Sequence, residues 1–226
     1  MQSKSLSVII PALNEEKYIS DCIRAVKELD PLEIIVVDGG SADRTAKIAG
    51  ESGAVVIQSS KGRGIQMNKG ALLARGGILL FLHADTLLPE IKNSFALAFF
   101  NSRVGGFFKL KFDDDSISTR LVELFANLRA RLFSVPYGDQ AIFIKRDVFK
   151  KLGGFREYPF LEDIDIAIRL RKFGRLKCLP FHVIASSRRI KKSYPFSPII
   201  MSFRNVLIAL FFLLGLSPVR LIKLYK

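Results

Sequence analysis

The sequence predicts an α/β fold, with a mostly parallel, Rossmann-like sheet flanked by helices and a basic, apolar helical tail. Two observations support this fold. Short apolar runs alternate with helical patterns through about the first 85 residues. Two of these runs, 34–37 and 78–82, are followed by aspartates, Asp38 and Asp85. Because open α/β sheets bind ligands beyond the carboxyl ends of their strands, both acids mark a candidate site at that edge.

The first half of the chain supplies the clearest elements. The run from Leu6 to Ile10 predicts a buried strand, and Asn14 is a suitable N-cap for a helix from Glu15 to Leu29. The same alternation then predicts a strand at 34–37, a helix from 43, a strand at 54–57, a helix through 67–74 and a strand ending near 83. Four strands alternating with helices indicate a parallel, doubly wound sheet.

The order is less regular after about residue 89. Helical patterns cover 89–100, 117–132, 146–152 and 162–173, and strand patterns cover 106–112 and 140–144. We divide the chain into an α/β domain, 1–180, and a basic, apolar C-terminal segment, 181–226.

Positive charge is concentrated late in the chain. The net charge is +14, yet residues 1–113 carry 14 basic and 12 acidic side chains, whereas 166–226 carry 13 Lys and Arg and no acid. Such asymmetry favours a polyanionic partner: nucleic acid, an anionic membrane or phosphates. The apolar run 206–216 is shorter than the roughly 20 residues needed to span a bilayer. Its basic flanks favour a helix lying in the cytoplasmic leaflet, the alternative being a helix packed on the core or on a dimer mate.

Cysteine usage and the N-terminus bear on location. Cys22 and Cys178 are far apart in apolar settings, which is typical of two buried thiols in a reducing compartment rather than a disulfide or zinc site. The first residues lead directly into a strand without the apolar region of a signal peptide. We therefore expect a cytoplasmic protein that is peripheral on the inner face of the cell membrane.

Two loops are suited to a nucleotide. The glycines after Asp38 permit a tight turn, and its carboxylate can accept hydrogen bonds from a ribose or a base, although a plain capped turn explains the pattern equally well. The stretch 61–64 is Lys-Gly-Arg-Gly before a helix, where backbone amides, the helix dipole and Arg63 favour a phosphate. It is neither a Walker A motif nor a GxGxxG fingerprint.

Acidic residues complete the candidate site. Asp85 together with phosphate oxygens and waters would form a normal Mg²⁺ or Mn²⁺ environment. His83 is a candidate ligand of the metal, a candidate hydrogen-bond donor to a group that binds the metal, or only a spacer between the strand and Asp85. The stretch 162–165, Glu-Asp-Ile-Asp, has more acids than a helix N-terminus needs. Two close carboxylates raise one pKa, which suits a general base. The Gly-Asp-Gln at 138–140 is expected near the sugar or acceptor, or equally as a turn before a strand.

Four ordered segments resemble family 2 glycosyltransferases of the GT-A fold. They are SVIIPALNEE at 7–16, VDGGS at 37–41, FLHAD at 81–85, and GGF followed by LEDID and RL within 153–170. The resemblance covers about residues 5–175. It implies an inverting glycosyltransferase that uses a UDP- or GDP-sugar and a divalent cation, Mg²⁺ or Mn²⁺. At a membrane face the acceptor would be lipid-linked or otherwise amphiphilic.

The resemblance also implies residue roles. Asp85 would be the metal-binding acid of the DxD motif, and Asp163, with Glu162, the catalytic base that activates the acceptor. With the loops described above, the donor-binding residues would be Pro11, Leu13, Glu15, Asp38, Lys61, Arg63, His83 and Ala84. His83 departs from the family, which usually has the first Asp of DxD there. The stretch 186–189, Ser-Ser-Arg-Arg, stands where processive members have QxxRW, so processive synthesis is not expected.

Two other functions are compatible with the sequence. The departure at His83 would suit a catalytically degenerate, membrane-associated GT-A scaffold. The net charge would suit a nucleic-acid-binding protein, but the charge accompanies an apolar helix and no recognisable reader motif is present. We therefore expect a membrane surface, and not nucleic acid, as the polyanionic partner.

Overall fold

A computed structural model of the chain describes residues 6–90, 104–188 and 198–225. The strands are β1 (Leu6–Ala12), β2 (Glu33–Asp38), β3 (Val55–Gln58), β4 (Ile78–Phe81), β5 (Thr86–Leu87), β6 (Gly105–Phe112), β7 (Ile142–Lys145) and β8 (Lys177–Ala185). The helices are α1 (Ile19–Lys27), α2 (Thr45–Glu51), α3 (Arg63–Leu73), α4 (Ile117–Phe133), α5 (Arg146–Leu152), α6 (Glu162–Leu170), α7 (Pro198–Leu213) and α8 (Pro218–Tyr225), with a 3-10 turn at Gly138–Gln140.

The strands of the described ranges form one sheet in the order β3-β2-β1-β4-β7-β6-β8-β5. β3, β2, β1 and β4 pair in parallel, and so do β6 and β8. β7 is antiparallel to both β4 and β6, and β5 is antiparallel to β8. The α/β fold with a mostly parallel sheet is therefore confirmed, and each antiparallel pair includes a strand from the second half of the chain, β7 or β8.

Helices cover both faces of the sheet. In β1, Val8 and Ile10 pack in the layer that holds α1, whereas Ile9 packs in the opposite layer with α3. One side of α1 is apolar and packed on the sheet, since Ile19, Cys22, Ile23 and Val26 are all buried. Strands buried on both faces read as continuous apolar runs, which is why β1, β2 and β4 were visible in the sequence.

Helix ends differ from the prediction in two places. The first helix begins at Ile19 rather than Glu15, because Asn14 has a left-handed backbone (φ 55°) and bonds to another loop instead of capping the helix. The last helix of the α/β domain ends at Leu170, four residues before Gly174, which has a φ of 141°. The predicted helix at 89–100 lies almost entirely outside the described residues.

β8 was not predicted. Pro180 interrupts its sequence pattern, and the pairing of β8 with β6 is irregular between Phe107 and Lys109, opposite that proline. A proline cannot donate a ladder hydrogen bond, so it is tolerated at such an irregularity. The predicted domain boundary at 180 falls inside β8, and the sheet continues to Ala185. The division into two parts stays a prediction.

The C-terminal helices have one packed side and one exposed side. Ile208 of α7 and Leu221 of α8 are buried in a cluster with Phe160. Leu210 and Leu214, in contrast, are 51% and 77% exposed. Among the described residues, no helix has both the length and the apolar character needed to cross a membrane.

Candidate active site

The loops after β1 and β2 are tied together at the carboxyl edge of the sheet. Asn14 N donates to Ser41 Oγ at 2.9 Å, and Ala42 N donates to Asn14 Oδ1 at 2.8 Å. Glu15 N donates to Thr45 Oγ1 at 2.7 Å. These cross-loop bonds use Asn14 for tertiary structure and fix the position from which the Glu15 side chain enters the site.

Asp38 ends β2 with a buried carboxylate. Its oxygens accept hydrogen bonds from the Gly40 and Ser41 amides and from the Ser41 hydroxyl. In β1, next to it, Pro11 is buried, and Leu13 just beyond the strand is half-buried. The carboxylate thus holds its own turn, and the roles of these residues toward a nucleoside stay predictions.

Gln66 on α3 fixes the ends of the adjacent strands β1 and β2, a role that the sequence did not reveal. Its side-chain Nε2 is buried and donates to the carbonyls of Ala12 and Val37 at 2.9 and 2.8 Å. Gly39 passes directly above this amide, since a Cβ there would lie 3.0 Å from it. A long-range contact of this kind leaves no local signature in the sequence.

Glu15 and Asp85 converge on one cation, the guanidinium of Arg188. Nη2 of Arg188 lies 2.6 Å from each carboxylate oxygen of Glu15 and 2.8 Å from Asp85 Oδ2. Cys22 is buried beside these acids, and burial first, then the charges of Asp85 and Glu15, raise the pKa of its thiol. The structure therefore brings two of the predicted site residues together around a residue that the sequence analysis had not assigned to the site.

Arg63 at the start of α3 faces Glu162 at the start of α6. Arg63 Nε lies 2.7 Å from Glu162 Oε1, and the Glu162 side chain is almost fully buried. Burial raises the pKa of Glu162 to about 7, and the charge of Asp163 adds to the rise while Arg63 opposes it. Lys61 is exposed at the edge of this loop. The Gly-rich loop is thus joined to the acidic cluster, and its predicted phosphate contact remains untested.

Asp163 is held by backbone amides. Its Oδ2 accepts from Gly138 N at 2.7 Å, and its Oδ1 accepts from Ile164 N at 2.8 Å. A Cβ on Gly138 would lie 2.5 Å from His83 Nε2, so the glycine allows His83 and Asp163 to approach the same point. His83, Gly138 and Asp163 line a small pocket together with Phe155 and Met67. Carboxylate lone pairs that the two amides do not occupy are available to accept a proton.

Asp139 follows Gly138, whose backbone amide binds Asp163. Burial raises its pKa to about 6, with the charges of Asp163 and Asp85 adding to the rise and Arg129 opposing it. Its Oδ1 is buried and has no hydrogen-bond partner within the described ranges. A buried carboxylate oxygen without a partner is costly, and such groups concentrate at functional sites.

Asp165, the third acid of the cluster, has a structural task. It pairs with Arg169 at 2.6 Å and with Arg156 at 3.6 Å. Arg169 also donates to the carbonyls of Leu152 and Gly154, so this network fixes the glycine-rich turn before α6. Of the three acids in the motif, only Asp163 is partly exposed and held by backbone amides alone in the described structure.

A metal ion would need ligands from outside the protein. The described residues contain no group of three or more His, Cys, Asp or Glu side chains that could hold one. Asp85 and Glu15 nevertheless bracket a positive charge, since the Arg188 guanidinium lies between them. The site therefore fits a cation that also binds substrate oxygens, as Mg²⁺ and Mn²⁺ usually do. The adjoining residue Ala84 is buried, and His83 is half-buried.

Several proteins with similar sequences are named as glycosyltransferases. The sequence model of the family "Glycosyl transferase family 2" matches residues 7–152. A PGL/p-HBAD biosynthesis glycosyltransferase of Mycobacterium bovis (strain BCG / Pasteur 1173P2) is 30% identical over 207 residues, covering 83% of this chain and 77% of that protein. The probable glycosyltransferase YdaM of Bacillus subtilis (strain 168) is 28% identical over 199 residues, covering 75% of this chain and 47% of that protein.

Solved structures share the fold. TarS from S. aureus, residues 1–349, superposes with a TM-score of 0.64 at 19% identity, covering 97% of this chain and 68% of that chain. Glucosyl-3-phosphoglycerate synthase from Mycobacterium tuberculosis, in complex with Mn²⁺, UDP and glucosyl-3-phosphoglycerate, has a TM-score of 0.61 at 20% identity, covering 92% and 79%. The predicted GT-A fold is confirmed by these similarities.

Proposed function

Because the chain belongs to glycosyl transferase family 2 and is a glycosyltransferase, we propose that it moves a sugar from a UDP- or GDP-sugar to an acceptor hydroxyl with inversion at the anomeric carbon. The observation that carries the proposal is that His83 and Asp163 meet at Gly138, with Asp85 two residues after His83 just beyond β4. Asp85 lies beside a cation, whereas Asp163 is held by backbone amides. Carboxylates in such different surroundings suit different tasks.

Asp85 would hold a divalent cation together with the donor diphosphate. Positive charge fits there, because the Arg188 guanidinium lies 2.8 Å from Asp85 Oδ2. When bound, Mg²⁺ or Mn²⁺ would neutralise the negative charge that develops on the departing nucleoside diphosphate. Arg63 and Lys61 lie on the loop that would face the same phosphates, and Pro11, Leu13 and Asp38 would contact the nucleoside.

Asp163 would act as the general base. As the acceptor oxygen forms its bond to the anomeric carbon, its proton passes to a carboxylate oxygen of Asp163 and the bond to the diphosphate oxygen breaks. Attack from the face opposite the leaving group gives inversion. The amides of Gly138 and Ile164 orient the carboxylate for this transfer. Glu162 would hold Arg63 near the site rather than accept the proton itself, since the two are 2.7 Å apart.

Donor binding is the first test. UDP-, GDP- and dTDP-sugars, each with and without Mn²⁺, would be compared by thermal shift. The proposal predicts that one nucleotide stabilises the protein in a Mn²⁺-dependent way, by about 2.7 kcal/mol when its concentration is 100 times its Kd. In Asp85→Asn, the part of this stabilisation that depends on Mn²⁺ should be lost. Asp115→Asn, which removes an exposed acid paired with Arg120, is the matched control.

Absence of stabilisation by every sugar nucleotide would contradict the proposal. Nucleotide binding without any consumption of the donor would instead favour the catalytically degenerate scaffold. The UDP and Mn²⁺ bound by glucosyl-3-phosphoglycerate synthase make that pair the first to try.

We further propose that the enzyme works at the cytoplasmic face of a membrane, on a lipid-linked or otherwise amphiphilic acceptor. The exposed side of α7 supports this, because Val206, Leu207, Leu210 and Leu213 all project from it. Arg220 and Lys223 of α8 follow immediately, and no acid occurs after Asp165. An apolar strip bordered by cations suits an anionic lipid surface, to which each Lys or Arg adds about 1 kcal/mol.

Helix α4, which packs against α7, adds to the same character. Its exposed apolar residues are Ile117, Leu124, Phe125, Leu128, Leu132 and Phe133. Contiguous exposed apolar surface on this scale commonly marks an interaction site.

Vesicle co-sedimentation tests the membrane proposal. Leu210→Ser with Leu214→Ser should weaken binding to vesicles that contain anionic lipid by about tenfold or more, because both side chains are exposed and their loss spares the packed side of α7. Leu72→Ser on α3 removes an equally exposed leucine and should leave binding unchanged. Equal binding of all three proteins would contradict membrane docking by this surface.

A further inference from the structure

Arg188 is a cation of the described site to which the proposed mechanism gives no task. Its Nη2 donates to both oxygens of Glu15 and to Oδ2 of Asp85. Both acids are largely buried, whereas the Arg188 side chain is 31% exposed. A residue more than 100 positions further along the chain therefore pairs with two carboxylates from separate loops.

The surroundings hold this guanidinium in place. Ser186 N, two residues before Arg188, donates to the carbonyl of Asp85 at 3.1 Å. The guanidinium carbon lies 4.4 Å from the centre of the Tyr18 ring, within the range of a cation–π contact. Arg188 is therefore anchored both at its backbone and at its charged end, beside the acid that would bind the metal.

We propose that Arg188 is a positioning residue that takes the cation position at Asp85 in the free enzyme and excludes the divalent ion until a diphosphate arrives. The inference rests on the proposed function, which assigns the metal and the diphosphate to this site. The inference adds an order of binding to that function: the metal enters together with the nucleotide and does not bind before it.

Charge balance gives the reason. Among the described side chains that Arg188 contacts, Glu15 and Asp85 contribute two negative charges, and Arg188 reduces the sum of these three to one. A divalent ion added beside Arg188 would make the cluster positive and place two cations next to each other in a partly buried site, where repulsion is strong. The diphosphate of a sugar nucleotide brings two further negative charges. Both cations are then accommodated, and the guanidinium can donate to phosphate oxygens.

A Mn²⁺ titration without nucleotide tests the inference. The EPR signal of free Mn²⁺ would be followed for the wild type and Arg188→Gln. Loss of the guanidinium should tighten Mn²⁺ binding by about tenfold or more, since it removes a competing charge of the same sign. Arg188→Lys keeps the charge and should stay near the wild type. Arg120→Gln, which removes an exposed arginine on α4, controls for a general change in net charge.

Equal Mn²⁺ affinity of the wild type and Arg188→Gln would overturn the inference. Arg188→Gln combined with Asp85→Asn should lose the added affinity, and retention of it would also overturn the inference, because the ion would then lie elsewhere. If Arg188→Gln is too unstable to titrate, its Tm should rise with Mn²⁺ alone while that of the wild type does not. A Tm that does not respond would count against the inference.

These measurements use no sugar donor and no acceptor. Failure of the proposed sugar transfer would therefore leave the Mn²⁺ result readable. If the enzyme transfers sugar normally while the wild type and Arg188→Gln bind Mn²⁺ equally, the role proposed for Arg188 is contradicted and the proposed function is not.

Discussion

Asp139→Asn is the substitution whose effect the structure specifies most fully. The Asp139 carboxylate is buried among like charges, and its Oδ1 has no partner within the described ranges. The amide has nearly the same shape and no charge. The substitution should therefore relieve an electrostatic cost while removing a charge next to Gly138, the residue that binds Asp163.

The magnitude and its sign follow from the pKa. Burial raises the pKa of Asp139 from 3.8 to about 6. Because the folded state holds this proton more tightly than the unfolded state, the raised pKa lowers stability as pH rises from about 4 to about 6. Two pKa units correspond to roughly 3 kcal/mol. Asp139→Asn should thus be more stable than the wild type by about 1 to 3 kcal/mol at pH 8 and nearly equal to it at pH 4.

Urea unfolding at both pH values measures this difference. Asp115→Asn, at a 71% exposed side chain paired with Arg120, should change stability little at either pH. A gain for Asp139→Asn that is the same at pH 4 and pH 8, or a loss at pH 8, would refute the reasoning. Sugar transfer by the same variant should fall, because stabilising a strained site usually costs function. An unchanged rate of sugar transfer would mean that Asp139 has no role in the reaction.

Two further predictions concern Gly138, for which Gly50 serves as a control, and Arg63. Gly138→Ala would place a Cβ 2.5 Å from His83 Nε2 and should lower transfer by about tenfold or more as His83 shifts. Gly50→Ala in α2, where the Cβ meets Val56 at an ordinary 3.9 Å, should be neutral or stabilise by up to about 1 kcal/mol. Arg63→Gln should destabilise the protein by about 1 to 3 kcal/mol at pH 8, because it leaves the buried Glu162 carboxylate charged and without its Arg63 partner. The loss should be smaller at pH 5, because Glu162 has a pKa of about 7 and is neutral there. A loss for Arg63→Gln that does not depend on pH, measured by urea unfolding, would contradict that ion pair's role.

The first half of the fold could be predicted because its signals are local. Buried parallel strands such as β1 and β4 are continuous apolar runs, and α1 carries a complete apolar stripe. Asp85 and Asp163 were found by the same logic, since each follows or begins an element that the pattern reveals. β8 was missed because Pro180 breaks the pattern that its burial would otherwise give.

The partners of the site residues could not be predicted. Glu15 and Arg188 are 173 positions apart, and the contact depends on β8 ending beside the loop after β4. The cross-loop bond between Asn14 and Ser41 likewise displaced a plausible N-cap. Local propensity is weak wherever tertiary structure offers a better partner.

Donor affinity and transfer rate of Asp163→Asn, measured on the same preparation, test the central claim most directly. Asn keeps the size of the side chain and removes its capacity to accept the proton, so we predict a donor Kd within about threefold of the wild type and a transfer rate lower by on the order of 100-fold or more. A collapse of donor affinity with a normal residual rate constant would mean that Asp163 binds the donor. That result would contradict its assignment as the general base.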